Sequence, residues 1–500
     1  MTAKPIPPAE NSGEPLPPAG RPHRERSMQP HEKIVVGHLL VFIVGIAWAF
    51  GGQIGWARTG LLVWGTVGIG LFFFALAQSG GAHRVAASRR KAWIHLWPLL
   101  CFDVAVGLSC LNPSLQTFLS QGELYFKVTT PPHAWLPSSA RPDLSLRELW
   151  QFNAIVLSCY NLLLVVRSRR TLRTFLLVIA ANAVVLAVFG TFQKLLGATS
   201  PWFGLVHTRQ TFFFSTFVYH NHWGAFILLI TGACLGLLFH FWKRGGYRDF
   251  WHSPVLAGSV ATLLLTATIP LSGSRSCSVL LGLFLFGAIG HVVVWLIRQR
   301  RSRRESATAP VVSLVVAALL ALTAIGYLSR DVIAQRAQLT TEQLGHIRTE
   351  DNLNSRLTLY RDTWRTGLVK PWFGWGLETY GDVFRIYNSQ RAVETWFGQP
   401  YYREAHSDWL QSFAESGVIG TALLVLLGLA PLWPVRARLI KSVLPRYLLA
   451  GCALVLLYAW VEFPFANPAV MIAFWLCLYS AAHYAALDSA ARSRSVPLPG

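Results

Sequence analysis

Long apolar segments separated by polar loops follow one another from residue 34 to residue 485. About 20 predominantly apolar residues are needed for one helix to cross a bilayer. By this criterion the pattern predicts about twelve membrane-spanning helices, at residues 34–51, 60–78, 93–111, 149–166, 172–193, 222–242, 253–271, 276–298, 309–328, 417–434, 446–464 and 467–485. The predicted fold is an all-α, polytopic membrane protein.

The polar stretches divide the chain further. The predicted segments are a disordered, Pro-rich cytoplasmic tail (1–33), transmembrane helices 1–9 (34–328), an extracytoplasmic cap loop (329–416), transmembrane helices 10–12 (417–485) and a second cytoplasmic tail (486–500). No cleavable signal peptide is expected, because the first apolar segment starts late and is long. In the cap loop, apolar residues at helical spacing predict a helix over 354–368. A second long outward segment, 112–148, is predicted as a proline-containing loop.

The charge distribution sets the predicted orientation. Only 13% of the residues are charged, yet the net charge is +21, and the Lys and Arg residues concentrate in alternate loops. These loops are 84–91, 167–173, 243–248, 298–304 and 436–446. Cytoplasmic loops of membrane proteins carry such an excess, so both termini are predicted to be cytoplasmic. No basic stripe lies on a soluble segment, which argues against nucleic acid as a partner.

The sequence contains no motif for a metal or a nucleotide. Its seven cysteines lie in or beside apolar segments without C-x-x-C spacing, as expected for small buried side chains. His220 and His222 have no third ligand nearby, so a metal site there is not predicted. Walker A, dinucleotide-binding and zinc-protease patterns are also missing from the sequence. We predict no metal and no cofactor.

Two polar positions at helix ends are candidates for function. Arg275 lies in a polar break between two apolar segments, and an arginine at membrane depth is costly enough to indicate a function. The alternative is an interfacial arginine that reaches lipid phosphates. Asn221 precedes the sixth segment, as either a buried hydrogen-bonding anchor or a substrate contact. Asp103, inside the third segment, is a further candidate contact.

Three arginines at helical spacing lie in the cap loop. Arg356, Arg361 and Arg365 fall close to one face of the predicted helix. A guanidinium binds phosphate oxygens through two parallel hydrogen bonds, which suits a pyrophosphate at a membrane surface. The alternative is a solvated helix face paired with Asp362.

A turn follows this helix. Pro371, Gly374 and Gly376 are typical of a segment that ends a helix and lets the backbone approach another group closely. Both glycines are therefore candidate substrate contacts.

The most informative segment is His406-Ser407, nine residues before Gly417-Val418-Ile419-Gly420, where the cap loop meets an apolar helix. A neutral imidazole accepts the proton of an attacking hydroxyl near neutral pH, so His406 is a candidate general base. Glu404 or Asp408 is expected to orient it and to contact the substrate.

Four segments together resemble the O-antigen ligase and Wzy-type polymerase family of bacterial inner-membrane glycosyltransferases. They are Thr216-Phe217…Asn221-His222, Ser272…Ser274-Arg275, Asn354-Ser355-Arg356…Pro371…Gly374…Gly376, and His406-Ser407…Gly417…Gly420. The resemblance covers about residues 210 to 425. In one departure, Val279 replaces the leucine that the family often has four residues after its arginine.

The resemblance implies a metal-independent, inverting transferase of C-type-like architecture in the bacterial inner membrane, with its active site facing the periplasm. The implied donor is a glycan on undecaprenyl pyrophosphate, held by Arg275 and Arg356, and His406 is the implied base. The acceptor hydroxyl is left open among a lipid-linked glycan, lipid A-core and a protein. From another class, a multi-span transporter or flippase for a lipid-linked glycan remains the alternative.

Overall fold

The computed structural model describes residues 28–77, 82–120, 123–206, 212–245, 253–334, 338, 353–389 and 402–493. Within them the chain forms fifteen α-helices and one β-hairpin. The helices are α1 (Pro30–Trp48), α2 (Gly55–Ala77), α3 (Ala82–Cys110), α4 (Pro142–Val165), α5 (Arg169–Leu195), α6 (His220–Gly245), α7 (Pro254–Ser272), α8 (Arg275–Ser302), α9 (Thr308–Leu328), α10 (Leu353–Val369), α11 (Tyr380–Tyr387), α12 (Asp408–Leu429), α13 (Arg436–Leu439), α14 (Val443–Tyr458) and α15 (Pro468–Ser493). The predicted all-α, polytopic class is confirmed.

Eleven helical segments within the described residues are long and apolar enough to cross a membrane. Each coincides with a predicted span. The remaining predicted span, 446–464, coincides with α14, which has only 16 residues. At 1.5 Å per residue such a helix is about 24 Å long, less than the roughly 30 Å of hydrocarbon in a bilayer. It lies between longer helices that bury it.

The centre of the membrane domain is α6. It is apolar on all sides, as expected of a helix surrounded by other helices, and most of its residues are buried. It packs against α5, α7, α14 and α15. Gly232 permits the close approach of α14, since a Cβ atom there would lie 2.6 Å from the Tyr447 carbonyl oxygen. The N-terminal end of α6 carries Asn221 and is held by this packing.

The structure of residues 112–148 differs from the prediction. This segment contains an antiparallel hairpin, β1 (Leu115–Ser120) and β2 (Glu123–Val128), where only a loop was expected. The β-branched and aromatic residues of LQTFLS and ELYFKV are typical of strands. Trp375 from the cap region packs against Leu115 and Ala140, so the hairpin and the cap form one layer.

Within the cap region, α10 covers the helix predicted over 354–368 and α11 follows it. Both ends of the chain are more helical than predicted: α1 begins inside the predicted tail 1–33, and α15 continues to Ser493. Residues 1–27 and 494–500 of the predicted tails lie outside the described residues.

Candidate functional site

The ends of several helices meet at one buried carboxylate, that of Glu462, in the loop between α14 and α15. Its oxygens lie 3.5 Å from His406 Nδ1 and 3.3 Å from a terminal nitrogen of Arg356. The Tyr219 hydroxyl donates a hydrogen bond of 3.3 Å to the same carboxylate. Glu462 therefore joins the segments before α6 and α12 to α10.

The local backbone holds His406 in a fixed position. Its φ is +52°, a left-handed conformation that is uncommon for a residue other than glycine and is found preferentially at functional sites. Tyr360 donates a hydrogen bond of 3.0 Å to the His406 carbonyl, and the ring meets Phe463 edge to face at 4.8 Å. Ser407 caps α12 by accepting a hydrogen bond from the Leu410 amide. The imidazole is thus fixed at the start of a helix.

Arg356 reaches this site from α10. Its side chain is 56% exposed, and the contact with Glu462 uses one terminal nitrogen. A guanidinium has five N–H donors in a planar fork. Arg356 therefore retains donors for an anionic ligand while Glu462 orients it.

A chain of hydrogen bonds links Ser274, the residue before Arg275, to the same carboxylate. Ser274 donates to the Asn221 Oδ1 at 2.7 Å, and Asn221 Nδ2 donates to the Tyr219 hydroxyl at 2.7 Å. Tyr219 in turn contacts Glu462. Arg275 is the exposed first residue of α8, directly after Ser274. Asn221 therefore has the anchoring role, and it positions the segment that carries Arg275.

The electrostatics of Glu462 favour its charged form. Burial by itself would raise the pKa of this carboxyl. The hydrogen bond and charge of His406 and the charge of Arg356 outweigh burial and lower the Glu462 pKa below its ordinary value. For Tyr219, burial and then the nearby Glu462 raise the pKa, so its hydroxyl remains a donor. Near neutral pH the site contains an ionised carboxylate beside an imidazole.

The two acids expected to orient His406 have other partners. Glu404 accepts a hydrogen bond of 3.0 Å from Gln411, and Asp408 accepts one of 3.0 Å from the Phe465 amide. Among the described residues, the carboxylate beside the imidazole is that of Glu462. Sequence reasoning missed this residue. The sequence did contain one indication of its role: Glu462 is an acid in the otherwise apolar stretch 460–465, where a charge is costly.

Arg361 and Arg365 lie beside Asp362 rather than in this cluster. Each has a guanidinium nitrogen 4.0 Å from Asp362 Oδ1, and their side chains are 58% and 63% exposed. Asp362 is buried and accepts hydrogen bonds from the amide and hydroxyl of Ser389, after α11. This arrangement matches the alternative of a solvated helix face paired with Asp362.

The two glycines after α10 approach the protein's own backbone. Gly374 and Gly376 have φ values of +68° and +106°. A Cβ atom on Gly374 would lie 2.3 Å from the Glu415 backbone, and one on Gly376 would lie 2.4 Å from Ser139 Oγ. Their segment forms backbone hydrogen bonds with α12, including that from the Gly376 amide to the Glu415 carbonyl at 2.8 Å. These contacts give the glycines a packing role.

The other polar candidates have hydrogen-bond partners within the protein. Asp103 accepts a hydrogen bond of 2.8 Å from Asn153 between α3 and α4. His220 and His222 contact the carbonyls of Phe212 and Phe463. Within the part of the chain that the structure describes, no group of His, Cys, Asp and Glu has a metal-binding arrangement.

A cavity of about 340 Å³ opens beside His406. Its lining residues come from four places in the chain: Gln53, Ile54, Arg58, Val218, Tyr219, His222, Tyr402, Arg403, Glu404, His406, Phe463 and Ala466. The volume lies at the lower end of the range of ligand sites. The arrangement provides an imidazole at a cavity wall, with arginines nearby.

Comparison with known proteins gives two matches. Residues 260–425 match a family described as "O-Antigen ligase" (Wzy_C). An uncharacterized protein of Haemophilus influenzae is 23% identical over 270 residues, which is 52% of this chain and 59% of that relative. The chain therefore spans about three-fifths of the relative's length.

The matched region contains the three residues that the resemblance implies for the reaction, Arg275, Arg356 and His406. Asn221 and Glu462 lie outside it. The family indicates an enzyme of a bacterial membrane that acts on glycans. The resemblance seen in the sequence is thereby confirmed over residues 260–425, which match the O-antigen ligase family.

Proposed function

We propose that this protein is an inner-membrane glycosyltransferase that moves a glycan from undecaprenyl pyrophosphate to an acceptor hydroxyl. The observation that carries the proposal is the shared carboxylate of Glu462, which lies 3.5 Å from His406 and 3.3 Å from Arg356. A base and a phosphate-binding group are thus fixed relative to each other. A transfer between a pyrophosphate leaving group and a hydroxyl nucleophile needs both.

His406 is the proposed general base. With the proton of Nδ1 directed at Glu462, Nε2 is left to accept the proton of the acceptor hydroxyl. Ionised Glu462 then stabilises the imidazolium that forms, as a buried carboxylate does in a catalytic triad. A general base of this kind accelerates transfer by about 10²–10⁴-fold.

Arg356 and Arg275 are the proposed pyrophosphate ligands. Their positive charge stabilises the negative charge that develops on the leaving group as the bond to the sugar C1 breaks. The hydroxyl oxygen forms the new bond to C1, the electron pair of the old bond goes to the pyrophosphate, and the proton goes to His406. One displacement inverts the configuration at C1. The reaction as proposed uses no metal and no nucleotide.

The positive-inside pattern supports a periplasmic site and cytoplasmic termini. The acceptor proposed for this site is a lipid-linked glycan, lipid A-core or a protein hydroxyl. The first would make the protein a polymerase, the second a ligase and the third a protein glycosyltransferase.

The test is transfer by purified protein in vesicles that contain the undecaprenyl-pyrophosphate-linked glycan of the bacterium that makes it. Products are identified by mass spectrometry with each acceptor in turn. Wild type and His133→Ala, which removes an exposed histidine of the 112–148 segment, are expected to transfer equally. His406→Ala is expected to be at least about 100-fold slower.

Equal transfer by His406→Ala and wild type would refute the role of His406. If wild type moves lipid-linked glycan across the bilayer without forming a glycosidic product with any acceptor, the transporter alternative replaces the enzyme.

A further inference from the structure

The cavity beside His406 extends to a part of the chain outside the O-antigen ligase domain. One wall is the junction of α1 and α2, with Gln53 before α2 and Arg58 in its first turn. Glu378 fixes this wall, because it lies 3.7 Å from Arg58 and 2.8 Å from Arg403 on the facing side. The first two helices are therefore part of the site.

The walls contain buried polar atoms for which the described protein provides no hydrogen-bond partner. They are Gln53 Oε1, Arg58 Nε and His222 Nδ1. A buried polar group without a hydrogen-bond partner destabilises the protein, so three of them around one cavity indicate a polar ligand.

The chemistry of these atoms identifies the class of ligand. Gln53 Oε1 only accepts a hydrogen bond and Arg58 Nε only donates one. Glu404, also in the wall, has a pKa raised to about 7 by burial and by Glu378, so it changes between donor and acceptor near neutral pH. A sugar has several hydroxyls, each of which both donates and accepts. A sugar therefore matches walls that contain both hydrogen-bond donors and acceptors better than an anion or an apolar group does.

The position of the cavity identifies which sugar it holds. Among the described residues that line it, neither Arg275 nor Arg356 is present, whereas His406 is. In a single displacement the nucleophile and the leaving group lie on opposite sides of C1. A cavity that includes the base but not the pyrophosphate ligands is on the nucleophile's side.

We propose that Gln53 and Arg58 form an acceptor-sugar subsite, which binds hydroxyls of the acceptor glycan and places one of them against His406. This inference rests on the proposed function. It assigns a substrate-binding role to the α1–α2 junction and makes the acceptor a glycan rather than a protein.

The test separates acceptor binding from donor binding. Wild-type protein, Arg58→Gln and Gln53→Ala are reconstituted, and initial rates are measured while the mole fractions of donor and acceptor lipid are varied independently. The donor is the bacterium's own lipid-linked glycan. The acceptor probe is its lipid A-core or, if that is inactive, the same glycan released from its pyrophosphate by mild acid hydrolysis, which has no leaving group, cannot serve as donor and is varied by its concentration in solution. Arg330→Gln and Gln116→Ala, at exposed positions away from the cavity, are the matched controls.

Arg58→Gln is expected to raise the acceptor KM about tenfold with the donor KM unchanged, as the loss of a hydrogen bond from a charged group predicts. Gln53→Ala is expected to raise the acceptor KM about fivefold, since a neutral hydrogen bond is weaker. The controls should leave both constants unchanged. Transfer by wild type only to a protein hydroxyl, an increase in the donor KM, or unchanged constants in both variants would overturn the subsite. No transfer by wild type to any acceptor would refute the proposed function itself.

Discussion

The arginines of helix α10 form two arginine–carboxylate groups. The two groups differ in which part of the chain provides the acid. Arg356 meets Glu462, which belongs to the loop between α14 and α15 and also faces His406 and Tyr219. Arg361 and Arg365 meet Asp362 on α10 itself. In both groups the arginines are exposed and the acid is buried.

The difference lies in what the buried acid connects. Glu462 connects the cap region to the membrane domain and to a candidate base. Asp362 connects α10 to Ser389, after α11, within the cap region. Arginine spacing along a helix therefore does not distinguish a binding site from a packing site. The other residues that contact the facing carboxylate distinguish the two kinds of site.

The largest expected effect is on the transfer rate, and it tests the difference between the two arginine groups directly. Arg356→Ala should lower transfer about 10²–10³-fold, because a group that stabilises developing charge is lost. Arg365→Ala, the matched change on the same helix, should alter transfer less than about twofold, as is usual for an exposed ion pair. Initial rates in vesicles measure both. Equal losses in the two variants would mean that the whole arginine face binds substrate.

The next effect concerns the backbone contact that holds the end of α10 against α12. Gly417 has a φ of +65°, and a Cβ atom there would lie 2.3 Å from the Trp372 backbone. Gly417→Ala should destabilise the protein by about 2 kcal/mol or more, through strain and displaced backbone. Gly428→Ala, in the same helix and with open space around it, should be neutral or slightly stabilising.

Thermal unfolding in detergent, followed by tryptophan fluorescence, measures both glycine variants. A Gly417→Ala variant as stable as the Gly428→Ala variant would show that the close contact with Trp372 does not hold the two segments together.

The smallest effect distinguishes Glu462 from Glu404, a half-buried carboxyl at the cavity wall. The Glu404 pKa is raised to about 7 by burial and by Glu378. A carboxyl with a raised folded-state pKa binds its proton more tightly in the folded state, so stability falls as the pH rises from about 4.5 to 7. Glu404→Gln should remove part of this fall. The Glu462 pKa is lowered instead, so its contribution is lost only in acid.

Thermal midpoints of wild type and Glu404→Gln at pH 5 and pH 8 test this contrast. The midpoint of the variant should drop less between the two values, by a few degrees. An identical drop in both proteins would show that Glu404 does not titrate in this range.

The sequence was informative about features that depend on residues close together along the chain. Span positions follow from apolar length, whereas the orientation derived from the positions of Lys and Arg stays a prediction. Arg356 stood out by its helical spacing with two other arginines, and His406 by its place before the apolar helix that contains Gly417. The cluster around Glu462 could not be predicted, because Arg356 lies 106 positions away along the chain. Similarly, the closeness of Gly374 to the α12 backbone depends on packing between segments, which spacing does not reveal.

The most direct test of the account is a double-mutant cycle on His406 and Glu462, with transfer rates in vesicles as the readout. If Glu462 acts by orienting the imidazole, Glu462→Gln should slow wild type about 10–100-fold and change the His406→Ala variant less than about twofold. The same 10–100-fold loss from Glu462→Gln in both backgrounds would contradict the account, because the carboxylate would then act independently of His406.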